Sequence, residues 1–376
     1  MHAVSYLMPD CPAVFRNETD LNALLSHAKE IGASDIYIIS QRPVTARIQG
    51  ELHRLSGRIL QSHEVEQVMK VIYEGDNGPT QVAIKPISKA YSFRHKGSRK
   101  LRFRCQGTGT QVNGEFAISI TLRELPAIPR KLNKSELGDL YDMLFPDVGL
   151  VLVCGETGSG KSTLMAGIVR ELIEKDDHHH ILEYSQPIEY VYDDLLFGKH
   201  HVEVEQSEVP TNIPTFAEAI SDALRRDPDI ILVGEARDSE TIKAALLAAQ
   251  TGHTVYSTVH ANTVGSVFLR LLQSLPTDSS AMILGGLIDS IRTIVCQDLI
   301  KTLTGERAAI RESLSFNQAL RDELLLAAQN DIMSVPLIAK KMVKDHGVTK
   351  LDAVKKLVAA GAISEQWIGL YERDYE

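Results

Sequence analysis

Apolar and polar positions alternate along this chain in two different rhythms, one before about residue 125 and another after about 148. In the first stretch, TDLNALLSHAKEIGA (19–33) carries apolar residues at helical spacing, which predicts a helix capped by Thr19 or Asp20. SDIYIIS and VTARIQGELHRL follow as strand patterns, with Gly50 as a hairpin turn. SHEVEQVMKVIYEG (62–75) returns to the helical period and closes on Gly75. From about 90, AYSFRH, KLRFRCQG and GEFAISITLREL alternate with Gly-containing turns, an antiparallel meander. Two prolines and a basic cluster in ELPAIPRKLNK (124–134) break the pattern and mark a linker, after which SELGDLYDMLF (135–145) predicts a short helix.

Beyond 148 the apolar runs VGLVLVC, HILEY, DIILVGE and TVYSTV alternate with helical segments. Short runs of this kind belong to strands buried on both faces of a parallel or mixed sheet. After about 300 the pattern becomes helical, in QALRDELLLAAQ, SVPLIAKKMVKDHG and KLDAVKKLVAAG. The fold class expected is α/β, with domains at 1–125, a linker and connecting helix at 126–145, a second domain at 146–322, and a helical C-terminal extension at 323–376.

Composition narrows the class. With 376 residues, 44% hydrophobic and 24% charged, the chain fits two ordered domains. A net charge of -9 argues against broad binding to nucleic acid or anionic lipid, so no direct nucleic-acid partner is expected. No apolar stretch is long enough to span a bilayer, and MHAVSYLMPD lacks the features of a secretory signal. Cys11, Cys105, Cys154 and Cys296 show no CxxC spacing, which argues against structural zinc and suits a reducing cytosol. A cytoplasmic location is expected.

The chemistry begins at GETGSGKST (155–163), which fits GxxxxGK[ST] between a buried strand and an amphipathic helix. Phosphates are dense in charge, so several backbone N–H groups must approach one point. Side chains would obstruct that approach, hence Gly155, Gly158 and Gly160. The loop assigns Gly155, Thr157, Gly158, Ser159, Gly160, Lys161, Ser162 and Thr163 to ATP binding. Lys161 reaches the β/γ-phosphates, Ser162 ligates Mg²⁺, and the helix directs its positive end at the same anion. A ligand-free glycine turn is the competing reading, and the complete motif in its strand-to-helix context favours the phosphate loop.

In DPDIILVGEARD (227–238), Ile230 to Val233 form a strand whose tip delivers Glu235. An acid there either holds the water shell of Mg²⁺ or orients the attacking water. The competing role is a helix cap, which Asp238 or Ser239 already supplies. TGHTVYSTVHANT (251–263) places His253 and His260 on either side of a strand. A histidine beyond a strand tip hydrogen-bonds a γ-phosphate or is an ordinary structural residue, and the spacing alone does not choose. In KLRFRC, Leu101, Phe103 and Cys105 share one strand face while Arg102 and Arg104 share the other. Arg123 ends FAISITLR. Two arginines on an exposed face are either a solvated basic hairpin or a means of stabilising a transferring phosphoryl group.

Together GETGSGKST, LRRDPDIILVGEARDSETI, TGHTVYSTVHANT and RFRCQG resemble the ATPases of type II and type IV secretion systems. The likeness is greatest to the pilus-retraction (PilT-like) and Dot/Icm type IVB (DotB-like) branches, with the conjugation ATPases of I-type plasmids close by, and it runs from near residue 33 to roughly 320. It implies an N-terminal PAS-like domain, a RecA-like ATPase domain, and assembly as a homohexamer ring. It also implies Glu235 as the Walker B glutamate, His260 beside the nucleotide, and Arg104 and Arg123 as catalytic, with Arg102 a weaker candidate. The family's acidic box, of the type EDPIE, reads SQPIE here at 185–189, so only Glu189 is carried over, with Glu183 two residues before it. The zinc module of assembly-type ATPases is absent from the sequence. The function implied is a cytoplasmic hexameric ATPase powering a type IVB secretion machine, recruited to its inner-membrane components through peripheral association. A pilus-retraction motor and a nucleotide-switched scaffold are the alternatives.

Overall fold

The computed structural model describes residues 5–95, 99–125 and 128–373. The chain divides into two compact units, Met1–Ile128 and Pro129–Glu376.

The first unit is an antiparallel sheet of six strands: β1 (Ala33–Ile39), β2 (Thr45–Ile48), β3 (Glu51–Arg54), β4 (Ile87–His95), β5 (Arg99–Val112) and β6 (Glu115–Leu125), ordered β3-β2-β1-β6-β5-β4. Helices α1 (Glu18–Glu30), α2 (Ser62–Tyr73) and α3 (Gly78–Ile84) complete it. β2 and β3 turn through Gln49 and Gly50, both at positive φ, the geometry that suits the right-handed twist of a tight hairpin. Two caps differ from expectation. Asn17 caps α1, its side chain accepting from Asp20 N, so Asp20 sits in the first turn, where its charge suits the helix dipole. Glu74, at φ +60, takes the left-handed position ending α2 that was expected at Gly75.

The second unit is built on β7 (Gly149–Cys154), β8 (His179–Ser185), β9 (Val202–Glu208), β10 (Ile230–Val233), β11 (Thr254–Val259), β12 (Ile291–Lys301) and β13 (Arg307–Ser315). Their order is β13-β12-β7-β11-β10-β8-β9, parallel throughout except for the antiparallel edge strand β13. β7, β10 and β11 are buried at every position, as their unbroken apolar runs require. Helices α4 (Lys134–Leu137), α5 (Leu140–Met143), α6 (Lys161–Lys175), α7 (Asp193–Leu196), α8 (Phe216–Ala223), α9 (Ser239–Gln250), α10 (Val264–Ser274) and α11 (Ser280–Ser290) accompany the strands. α12 (Gln318–Asn330), α13 (Val335–His346), α14 (Lys350–Ala359) and α15 (Gln366–Glu372) follow. No helix among the described residues is long and apolar enough to cross a membrane.

Three expectations change. Of the linker expected at 126–145, Pro126 and Ala127 lie outside the described residues, and from Pro129 onward the chain belongs to the second unit. Leu137, Leu140 and Leu144 are buried with α6, and Arg170 Nη1 donates to Pro129 O at 2.7 Å. The boundary at 322/323 falls inside α12, because Leu320 and Leu324 on one face of that helix enter the main core together with Val335, Ala339 and Met342 of α13. Only α14 and α15 form a separate cluster, around Ile300, Ile310, Val354 and Ile363. The stretch after about 300, expected to be helical, first completes the β12–β13 hairpin with β13 (Arg307–Ser315).

α10 and α13 approach closely at Gly265, where a Cβ would lie 2.5 Å from Pro336 O. Replacing a helical glycine by alanine gains up to about 1 kcal/mol of propensity. Driving a methyl into a backbone carbonyl costs about 1–3 kcal/mol. Overlap therefore wins, and Gly265→Ala should lower the thermal unfolding midpoint by a few degrees. A raised midpoint would show that α13 is free to move aside.

Candidate active site

Because β7, β10 and β11 run parallel, the residues following each emerge on the same edge of the sheet. That edge gathers the loop 155–160, Glu235 and His260, which are far apart in sequence.

The loop is backed by β12. Gly155 stands at φ +145, and a Cβ on it would lie 2.3 Å from Gln297 O and 2.4 Å from Ser159 Oγ. Gly160, at φ +88, begins α6 without a side-chain cap, and a Cβ there would meet Gln297 Nε2 at 2.8 Å. Gly158, at φ +83, has open space, so glycine serves the backbone angle alone. Gln297 is 3% exposed; its Nε2 donates to Ser159 O at 2.7 Å, while Arg311 Nε donates to its Oε1 at 2.7 Å. Arg311 Nη1 in turn donates to Glu136 Oε1 at 2.8 Å. Neither Gln297 nor Arg311 was expected from the sequence; the signal available was a glutamine inside the apolar run IRTIVCQDLIK.

Two atoms of the loop are chemically incomplete. Ser159 Oγ is buried and has no hydrogen-bond partner among the described residues, an arrangement that calls for a ligand or water. Lys161 Nζ donates to Gly155 O and Glu156 O, both at 2.8 Å, neutral acceptors weaker than a charged phosphate oxygen. Burial lowers the Lys161 pKa below its ordinary value, against the opposing charges of Glu235, Glu189 and Glu156. Thr157 is exposed, and Asn262 Nδ2 donates to Glu156 Oε1 at 2.9 Å, tying the loop to the segment after β11. Thr163 Oγ1 lies 3.2 Å from Tyr190 OH.

Beside the loop is a cavity of about 110 Å³ lined by Ser162, Glu183, Glu189, Glu235 and Thr258, among others. Glu235 is positioned by its neighbours: Gly234 N donates to Tyr184 O, Ala236 N to Thr258 O, and Thr258 Oγ1 to Gly234 O. Asp238 caps α9, accepting from Thr241 N at 2.9 Å, so Glu235 is not the cap. The Glu235 carboxylate lies 3.5 Å from His260 Nε2 and 3.7 Å from Arg237 Nη1. His260 therefore faces Glu235, whereas His253 is engaged at the end of α9, its Nδ1 3.0 Å from Ala248 O.

Glu183 and Glu189 share this cavity, although the sequence carried only Glu189 forward. Glu183 is buried and accepts from Ser185 Oγ at 2.7 Å and Gln206 Nε2 at 2.8 Å. Burial and this carboxylate together push the Tyr192 hydroxyl well above its ordinary pKa. Glu183 thus stands on β8 near the position that SQPIE lacks an acid to fill. The oxygen donors in this cavity suit a small hard cation such as Mg²⁺. Among the described residues no three histidine, cysteine or acidic side chains could hold an ion between them. Phosphate oxygens and water would have to complete its shell.

In the first unit, Arg104 and Arg123 are direct cross-strand partners on β5 and β6, both exposed. Like charges placed opposite each other repel. Asp35, 5% exposed, relieves one of them by accepting from Arg123 Nε at 2.7 Å. Arg102 does not share their exposure: it is 8% exposed, against the expectation of a common solvent face with Arg104.

Comparison with known proteins bears on these features. A family profile described as "Type II/IV secretion system protein" matches residues 16–346. The type IV pilus retraction ATPase PilT of Pseudomonas aeruginosa is 32% identical over 92% of this chain and 96% of its own. The crystal structure of the ATPase DotB of Legionella pneumophila superposes with TM-score 0.89 at 37% identity, covering 100% of both chains. The pilus retraction motor PilT with bound ADP superposes with TM-score 0.74 at 28% identity, over 91% of this chain and 94% of that one. With a mixed α/β fold like that of DotB and PilT, and a nucleotide loop set beside a buried acidic cavity, the chain belongs to the type II/IV secretion system protein family and is an ATPase.

Proposed function

We propose that the chain is the cytoplasmic, homohexameric ATPase of a type IVB secretion machine. The observation that carries the chemistry is the meeting of Ser162, Glu189 and Glu235 around one cavity at the end of the loop 155–160, with Lys161 near enough to feel the charges of both carboxylates. In this reading the backbone N–H groups of Thr157, Gly158, Gly160 and Thr163 and the α6 N-terminus bind the phosphates of ATP, while Gly155 and Ser159, whose N–H groups donate to Val259 O and Glu156 O, shape the loop around them. Lys161 exchanges its two carbonyl partners for phosphate oxygens. Ser162 would hold Mg²⁺ directly and Glu235 through water, and the ion would supply charge neutralisation to the phosphates. Glu235 accepts the proton of the attacking water, His260 orients Glu235 and reads the terminal phosphate, and Glu189 orders water on the metal side.

The second unit is read as a RecA-like domain and the first as a PAS-like domain. The latter supplies Arg104 and Arg123, across the ring, to the charge that develops on the transferred phosphoryl group. Asp35 Oδ1, which lies 2.7 Å from both Nε and Nη2 of Arg123, fixes the direction of that side chain. Movement between the domains converts hydrolysis into force on inner-membrane components of the machine, to which the ring attaches peripherally. Likeness to DotB over the full length of both chains supports the type IVB assignment. Identity with PilT over nearly the whole chain supports a second reading, a pilus-retraction motor with the same chemistry and a different load. Purification of the chain from its native cells with secretion-machine or pilus-machine membrane proteins distinguishes the two.

Glu235→Gln should bind ATP within about twofold of the wild type and hydrolyse it about 10²–10⁴ times more slowly, the range for a lost general base. Turnover near the wild-type rate would remove Glu235 from the mechanism. Arg104→Ala should depress turnover about 10³-fold, as loss of an arginine finger does. Mixing Arg104→Ala with Glu235→Gln chains should restore part of the activity, since mixed rings contain sites with both groups intact. An absence of rescue would place the arginine in the same chain as the loop it serves, or outside the reaction.

A further inference from the structure

Two open clefts flank the phosphate loop, and they offer different surroundings to whatever extends from it. On the β11 side is a cleft of about 790 Å³ lined by His260, Thr263, Arg270 and Gln273, with no Phe, Tyr or Trp among its lining residues. On the β12–β13 side is a cleft of about 690 Å³, spacious enough for a nucleoside. Its walls include Gly158 of the loop, Leu299 and Lys301 of β12, Arg307 of β13, and Trp367 and Tyr371 of α15.

Strand order chooses between them. Glu235 follows β10 and Glu183 lies on β8, both strands on the β11 side of β7, whereas β12 and β13 lie on the other side. A nucleotide whose terminal phosphate faces Ser162 and Glu235 therefore runs across the loop with its base toward β12 and β13. There it meets the aromatic pair. Trp367 and Tyr371 lie one helical turn apart, their ring centroids 6.4 Å from each other with planes 36° apart. Both rest on the cluster around Ile300, Ile310, Val354 and Ile363, and Trp367 remains half-buried. The same hairpin ties down the C-terminal helices: Lys350 Nζ, itself buried, donates to Asp298 Oδ2 at 2.5 Å, and Tyr371 OH lies 3.5 Å from that oxygen. Asp298 follows Gln297, the residue that braces the loop.

We infer that α15 forms the base-binding wall of the nucleotide site, with Trp367 stacking on the purine of bound ATP and Tyr371 supporting it. Aromatic rings accept a purine through its π-face, and each such stack contributes measurably to affinity. The C-terminal helices thereby become part of the site and register whether it is filled. This inference rests on the proposed orientation of the phosphates toward Glu235.

Trp367 is the one tryptophan of the chain, so its fluorescence reports this position alone. ATP and ADP should change that emission saturably in the full-length protein, whereas tripolyphosphate, which has no base, should bind without the change. Trp367→Ala should weaken ATP binding about tenfold while leaving tripolyphosphate affinity unaltered, which also verifies that the variant is folded. Trp367→Phe, which keeps a ring, should retain most of the ATP affinity. Should Trp367→Ala bind ATP within twofold of the wild type, or the wild-type emission stay fixed at saturating ATP, the inference is overturned while the phosphate site stands. If the wild type binds neither ATP nor tripolyphosphate, both fall together.

Discussion

Gln297 and the phosphate loop approach so closely that the loop has one way to lie. Its main-chain oxygen and its amide occupy the spaces where side chains at 155 and 160 would stand, and its Nε2 fixes Ser159 O. The amide is itself held by Arg311, and Arg311 by Glu136, so a carboxylate on α4, a guanidinium on β13 and a glutamine on β12 form one chain of contacts ending at the loop. Each net hydrogen bond of this kind contributes only about 1 kcal/mol to stability. The larger effect is geometric. A loop already held in one conformation gains affinity and rate because little has to be ordered when the anion arrives.

The parallel sheet turns this local brace into a site. β12 pairs with β7 in register from Ile294↔Leu152 to Cys296↔Cys154, which sets Gln297 beside the loop that follows Cys154. β11 pairs with β7 on the other side, and β10 with β11, so that Glu235 and His260 emerge on the edge where the loop lies. The two sides of β7 then differ in kind: carboxylates gather toward β10 and β8, whereas the Trp367–Tyr371 pair with Lys301 and Arg307 stands toward β12, β13 and α15. A molecule with a charged end and an aromatic end matches that division.

Local features of this organisation were legible in the sequence, and features made by distant pairing were not. The glycines at 155, 158 and 160 with Lys161 are a local signature, because the backbone angles they permit are needed within six residues. β7, β10 and β11 announce themselves by unbroken apolar runs, since both their faces are covered. Gln297 gives no comparable signal: its partner Ser159 is 138 positions away, and its meaning depends on that pairing. The β12–β13 hairpin escaped the pattern for the same reason, because Gln297 and Asp298 interrupt the alternation in order to reach the loop and Lys350. Strand alternation assigned Arg102 and Arg104 to one face, but nothing in the local sequence says which part of that face is covered. SQPIE looked like a depleted acidic box until β8 placed Glu183 in the same cavity as Glu189 and Glu235.

The most direct test of this nucleotide site is a crystal structure of the full chain bound to a non-hydrolysable ATP analogue. The β-phosphate should lie cradled by residues 155–160 and the terminal phosphate beside Ser162 and Glu235. Lys161 Nζ should have left the carbonyl oxygens of Gly155 and Glu156 for the phosphates, with the Gln297 contact to Ser159 O unchanged. An analogue bound elsewhere, or bound with Lys161 still on those two carbonyls, would contradict it.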